Sequence, residues 1–141
     1  GACHERNRDY ESAAKAFRQA LALNPEDADA LNYLGYMWAE QGINLEEARV
    51  LIERALKIEP ENSAYLDSMG WVLFKLNQPE EALSYLLRAA ERAERPDATI
   101  YEHIGDVYFS LKQLERAREA WEKSIAIEPN DGVKKKVGSS L

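Results

Sequence analysis

Gly35, Gly70 and Gly105 stand 35 residues apart, and Gly1 lies a further 34 upstream. A period of this length means that one supersecondary unit is copied along the chain, and a unit so small cannot bury its apolar face alone. The copies must stack. They align as LNYLGYMWAEQG from Leu31, LDSMGWVLFKLN from Leu66 and YEHIGDVYFSLK from Tyr101. Each is followed by a second stretch: EEARVLIERALKIEP from Glu46, EEALSYLLRAAERAE from Glu80 and ERAREAWEKSIAIEP from Glu115, with an earlier copy, YESAAKAFRQALALNP, from Tyr10. Ala13, Ala48, Ala82 and Ala117 share one slot, spaced 35, 34 and 35. The basic unit is therefore 34 residues, with one extra residue in the turn QGINLEE and another near Arg95, where Glu94 takes the slot of Pro25, Pro60 and Pro129 and the proline moves to Pro96.

Each unit reads as two helices. Leu31, Leu34, Gly35 and Trp38 fall on one helical stripe, repeated by Leu66, Met69, Gly70 and Leu73 and by Tyr101, Ile104, Gly105 and Tyr108. Glycine in a helix costs about 1 kcal/mol relative to alanine, so its recurrence on the packing stripe implies a close approach by a neighbour. Ala48, Ala82 and Ala117 offer the matching contact. Proline after the second helices ends them, because it cannot continue the hydrogen-bond ladder. The helices are short and antiparallel.

This pattern resembles the tetratricopeptide repeat. The large residue of its signature is Leu31, Leu66 or Tyr101, the Leu-Gly pair is Leu34-Gly35, Met69-Gly70 or Ile104-Gly105, and Trp38, Leu73 or Tyr108 fills the tyrosine slot. Phe17, Ile52, Leu86 and Trp121 take the phenylalanine slot, followed by Ala20, Ala55, Ala89 and Ser124. The resemblance covers nearly all of the chain and implies an all-α solenoid of antiparallel helix pairs with 34–35-residue repeats. On this register the domain spans 1–141: a partial repeat at 1–27, repeats at 28–62, 63–97 and 98–131, and the start of a closing helix or tail at 132–141. Gly1 falls at the repeat glycine, so the chain is expected to open midway through a first helix, as a piece of a longer array would. Asp131 is expected to cap a ninth helix carrying Val133 and Val137 behind Lys134, Lys135 and Lys136. The turn insertion and the run AYLDSMGWVLFKL also resemble large bacterial members of the family, some of them exported or lipid-anchored.

Charge narrows the partner class. Eighteen Lys and Arg stand against 25 Asp and Glu, a net −7, so the electrostatic footprint of a nucleic-acid binder is missing. No apolar run approaches the roughly 20 residues needed to cross a bilayer, so direct membrane insertion of this segment is not expected. Cys3 is the only cysteine and can form no intramolecular disulfide or thiolate cage.

In a repeat solenoid the first helices line a concave groove. Subtracting the packing stripe leaves Asn32, Tyr36 and Glu40, then Asp67, Trp71, Phe74 and Lys75, then Glu102, Asp106 and Phe109 as candidate groove residues. Their surplus is aromatic and acidic, suited to an extended peptide or partner helix with apolar and basic residues. The competing reading is that Tyr36, Trp71 and Phe74 extend the core between repeats and that the carboxylates are merely solvated. Some family members hold acidic chaperone tails through a clamp of lysine, asparagine and arginine, and the corresponding positions here lack that basic clamp. The expected function is a non-catalytic protein-interaction scaffold. The alternatives are a self-association module joined through the array ends and a regulatory segment of a larger enzyme.

Catalytic readings are weak. Ser68 and His103 occupy equivalent slots near Asp67 and Asp106, but equivalent positions on stacked helices lie roughly 8 to 10 Å apart, beyond the roughly 3 Å that a nucleophile and its base need. Cys3, His4 and Glu5 form the one cluster with metal-binding side chains, yet consecutive residues on a helix diverge and no second cluster completes a shell. No cofactor or metal is expected.

Overall fold

The computed structural model describes residues 2–139, with side chains from 11 to 138. Cys3, His4 and Glu5 thus lie outside the described side chains, as do Gly1 and the last two residues. Eight helices follow one another: α1 (Ala2–Leu23), α2 (Ala28–Gln41), α3 (Leu45–Ile58), α4 (Ser63–Lys75), α5 (Pro79–Arg92), α6 (Ala98–Ser110), α7 (Leu114–Ile127) and α8 (Asp131–Ser139). None among the described residues is long and apolar enough to cross a membrane.

Capping chemistry explains where the helices start. Asp27, Asn62 and Asp97 precede α2, α4 and α6, and each accepts hydrogen bonds from backbone N–H groups of the first turn. Before α8 that role falls to Asn130, whose side chain accepts from the N–H groups of Gly132 and Val133, rather than to Asp131. The second helices lack side-chain caps and start instead after a tight turn with one left-handed residue, Asn77 before α5 and Lys112 before α7. The turn before α3 carries two, Gly42 at φ 71° and Asn44 at φ 49°, which is how QGINLEE absorbs its extra residue.

No such turn forms before Tyr10, so among the described residues the expected nine helices become eight. The residues expected as a partial first helix run straight into the next as α1, and their Glu and Arg favour continuing the helix.

Consecutive helices pack together along the whole chain, and the first helices α2, α4 and α6 also pack on one another in that order. One continuous core results, running from Leu34 and Trp38 through Leu66, Met69 and Val72 to Ile104 and Ala120. The glycines sit where the second helix crosses the first. A Cβ on Gly35 would lie 2.7 Å from Ile52 Cγ1 and 3.0 Å from the carbonyl oxygen of Ala48. On Gly70 it would lie 2.6 Å from Leu86 Cγ and 3.0 Å from the Ala82 carbonyl, and on Gly105 it would run into the Trp121 ring. The alanine slot admits the backbone, and the large residue four positions on fills the space that glycine leaves. α8 closes the last pair, with Val133 1% exposed against Ala117 and Trp121.

Candidate interaction groove

The candidate residues on α2, α4 and α6 follow from the register that packs these three helices side by side. Asn32 is buried, and its amide oxygen has no hydrogen-bond partner. Tyr36 is half-buried one turn further along α2, and Glu40 is exposed. Burial, then the neighbouring Glu40, Asp67 and Glu102 carboxylates, push the Tyr36 phenol well above its ordinary value.

Asp67 is not a solvated carboxylate. It is buried on α4, and its Oδ1 lies 2.8 Å from Nδ1 of His103 on α6, itself buried. The His103 ring stacks on Trp71 with centroids 4.0 Å apart and planes 19° apart, and lies 6.4 Å from the Tyr36 ring. A carboxylate at one edge and an indole on one face fix the imidazole and tie α6 to α4. Ser68 is buried as well, but among the described residues no hydrogen bond joins it to His103, so no serine–histidine–carboxylate set is assembled.

Glu102 and Asp106 are also occupied from within the chain. Lys136 of α8 reaches back to place Nζ 2.8 Å from Glu102 and 2.9 Å from Asp106. Burial pulls this ammonium down, but the two carboxylates outweigh it and hold it above its ordinary value. Asp106 accepts in addition from Trp121 Nε1 at 3.2 Å. Three of the four candidate carboxylates are therefore engaged within the chain, and Glu40 stays exposed. His103 takes Asp67, and Lys136 takes Glu102 and Asp106, because the helix-to-helix register sets these side chains opposite one another.

What remains open is apolar. A cleft of 540 Å³ between α4, α6, α7 and α8 is lined by Trp71, Phe74, Lys75, Asp106 and Phe109, five of the candidate residues, together with Ser110, Trp121, Lys135 and Lys136. Trp71 and Phe74 have ring centroids 5.4 Å apart, and Phe109 and Trp121 5.7 Å. Lys75 Nζ stands 4.8 Å above the Trp71 ring. Trp71 serves both readings at once: it belongs to the core and lines the cleft, and its Nε1 is buried without a partner. Asn32, Tyr36, Glu40, Asp67 and Glu102 do not line this cleft.

Sequence reasoning placed Trp121 in a packing slot, Lys135 and Lys136 in a closing element and His103 in an unworkable triad. A spacing of 36 marks the Asp67–His103 tie and recurs from Asp29 to Tyr65, whose hydroxyl donates to that aspartate, whereas the Lys136 ties span 34 and 30. Two further clefts, of 490 and 570 Å³, open on the other side between second helices and hold none of the candidates. Leu51 and Ala120 line them in the slot where α5 carries the larger Tyr85.

The tetratricopeptide repeat family model matches residues 4–64 and 68–132. No curated protein matches the chain at a significant level. Among solved structures, pilF of Pseudomonas aeruginosa has a TM-score of 0.80 at 25% identity, covering 100% of this chain and 64% of that one. A MamA segment from Desulfovibrio magneticus gives 0.75 at 25%, covering 96% and 76%. The first repeat domain of Spaghetti (RPAP3), solved with the HSP90 peptide SRMEEVD, gives 0.72 at 23%, covering 80% and 89%. Matching arrays, paired helices and the glycine crossings agree, and this chain belongs to the tetratricopeptide repeat family.

Proposed function

We propose that the protein is a non-catalytic interaction scaffold that docks a protein or peptide segment in its concave groove, at the cleft formed by Trp71, Phe74, Phe109 and Trp121. The single observation that carries this reading is that cleft: four aromatic rings border 540 Å³ that the chain's own side chains leave open, with Phe109 50% exposed. Aromatic side chains supply large contact area at little conformational cost, and they concentrate where partners anchor. Tetratricopeptide arrays are generally non-catalytic interaction modules, and the Spaghetti domain holds its peptide as such a module.

The apolar half of the expected partner chemistry stands on these rings. The basic half is left with Glu40 alone, because Asp67, Glu102 and Asp106 are paired within the chain.

The test is partner capture on the wild-type chain and on a Phe74→Ala/Phe109→Ala variant, matched for helicity by circular dichroism. Both side chains are partly or largely exposed, so the array should survive their loss. A partner retained by wild type and lost by the variant supports the groove. Equal capture by both overturns it.

A further inference from the structure

We infer that the cleft between α4, α6, α7 and α8 takes a partner segment in which one large apolar side chain is flanked by carboxylates. This rests on the reading of the groove as a docking site and adds the chemical class of what docks.

Two observations converge. The first is charge. On a chain of net −7, this cleft is bordered by three lysines and one aspartate. Lys136 with Glu102 and Asp106 carries a net −1, whereas among the described residues neither Lys75 nor Lys135 meets a carboxylate at ion-pairing distance, so the five groups together remain positive. The cations left over are what a ligand would meet. Screening over roughly 8 Å at physiological salt confines their attraction to groups actually seated in the cleft, so the distant acidic surface does not cancel it.

The second is size and lining. A volume of 540 Å³ walled by aromatic rings accommodates one large side chain with its neighbours in the segment. Carboxylates for Lys75 and Lys135, with an apolar group between them, describe one kind of segment.

The experiment follows indole N–H resonances in NMR spectra of the full 141-residue chain, which contains three tryptophans. Trp71 and Trp121 border the cleft, and Trp38 lies against the cleft between α1 and α3 and serves as an internal control. Two acetylated, amidated seven-residue probes are titrated, one with a central Phe between Glu pairs and one with the same Phe between Lys pairs. The Glu-flanked probe should move the Trp71 and Trp121 signals, leave Trp38 in place, and bind about tenfold more tightly than the Lys-flanked probe. A Lys75→Ala/Lys135→Ala variant should weaken it about fivefold or more without loss of helicity.

A Lys-flanked probe that binds the cleft as well or better overturns the acidic class and leaves the groove reading standing. Unchanged affinity in the double-lysine variant overturns the role of these two residues and with it the inference. If neither probe moves Trp71 or Trp121 at about 1 mM, the cleft is not a site for this class, and partner capture alone then decides the groove.

Discussion

His103 on α6 and Asp67 on α4 form a buried rung between successive first helices, Nδ1 to Oδ1 at 2.8 Å, and the next step of the array repeats it with different chemistry. The caps Asp97 and Asn130 and the buried Ile100 and Val133 each align α6 with α8 at an offset of 33, which puts Lys136 in the slot of His103. Glu102 holds the slot of Asp67 one repeat later, and Lys136 reaches it at 2.8 Å. These two steps each pair an acid on one first helix with a base on the next, whereas between α2 and α4 the same slots hold Asn32 and Ser68. The two pairs hold the last repeats in register.

Breaking one partner of the rung should cost more than breaking both. His103→Ala leaves a buried carboxylate unpaired and should destabilise the chain by about 3 kcal/mol. Asp67→Ala should cost less, since it leaves one ring nitrogen without its partner rather than a buried carboxylate. Urea titration of the two singles and the double should give a coupling of about 1–3 kcal/mol. Additive effects would mean that the rung contributes nothing to stability.

Gly70→Ala should destabilise although helix propensity favours alanine by about 1 kcal/mol. The new methyl would meet Leu86 Cγ at 2.6 Å and the Ala82 carbonyl at 3.0 Å, and the carbonyl belongs to a helix that cannot retreat alone. Overpacking of this kind costs about 1–3 kcal/mol, so a net loss on the order of 1 kcal/mol is expected in chemical denaturation. Combined with Leu86→Ala, the penalty should be less than additive, because the side chain in the way is gone.

Alkali should destabilise the fold. Tyr36 and Tyr65 have ordinary values of 10.0 and Lys136 of 10.5, and all three are raised in the folded chain, the tyrosines first by burial and Lys136 by Glu102 and Asp106 against burial. Each binds its proton more tightly folded than unfolded. Stability is therefore full below pH of about 10 and falls as pH rises through the raised values. Thermal melts from pH 8 to 12 should show a declining midpoint above pH of about 10, with a shallower decline in Lys136→Met. A flat profile across that range would contradict the folded-state environments assigned to these groups.

Asn130→Ala should release α8 before anything else unfolds. It removes the acceptor for the N–H groups of Gly132 and Val133, a loss of about 1 kcal/mol in a helix of nine residues. Hydrogen exchange in residues 131–139 should accelerate several-fold, while α4 and α5 keep their protection. Equal acceleration throughout would show that α8 and the array unfold as one unit.

The sequence by itself determined the period, the pairing of helices and the glycine crossings, because each depends on residues a fixed number of positions apart within one unit. Gly70, Ala82 and Leu86 carry that relationship in the chain order alone. It also marked five of the cleft residues by subtraction, since an aromatic that the packing stripe does not need must face elsewhere. Tertiary structure decided who meets whom across units. Whether Asp67 faces water or His103, and whether Glu102 and Asp106 are free or bound to Lys136, depends on the offset between stacked helices, and an insertion or a shift of the cap from Asp131 to Asn130 changes that offset by one residue. Local periodicity is a property of the chain, while the charge left over in a groove is a difference between partners that only the assembled array brings together.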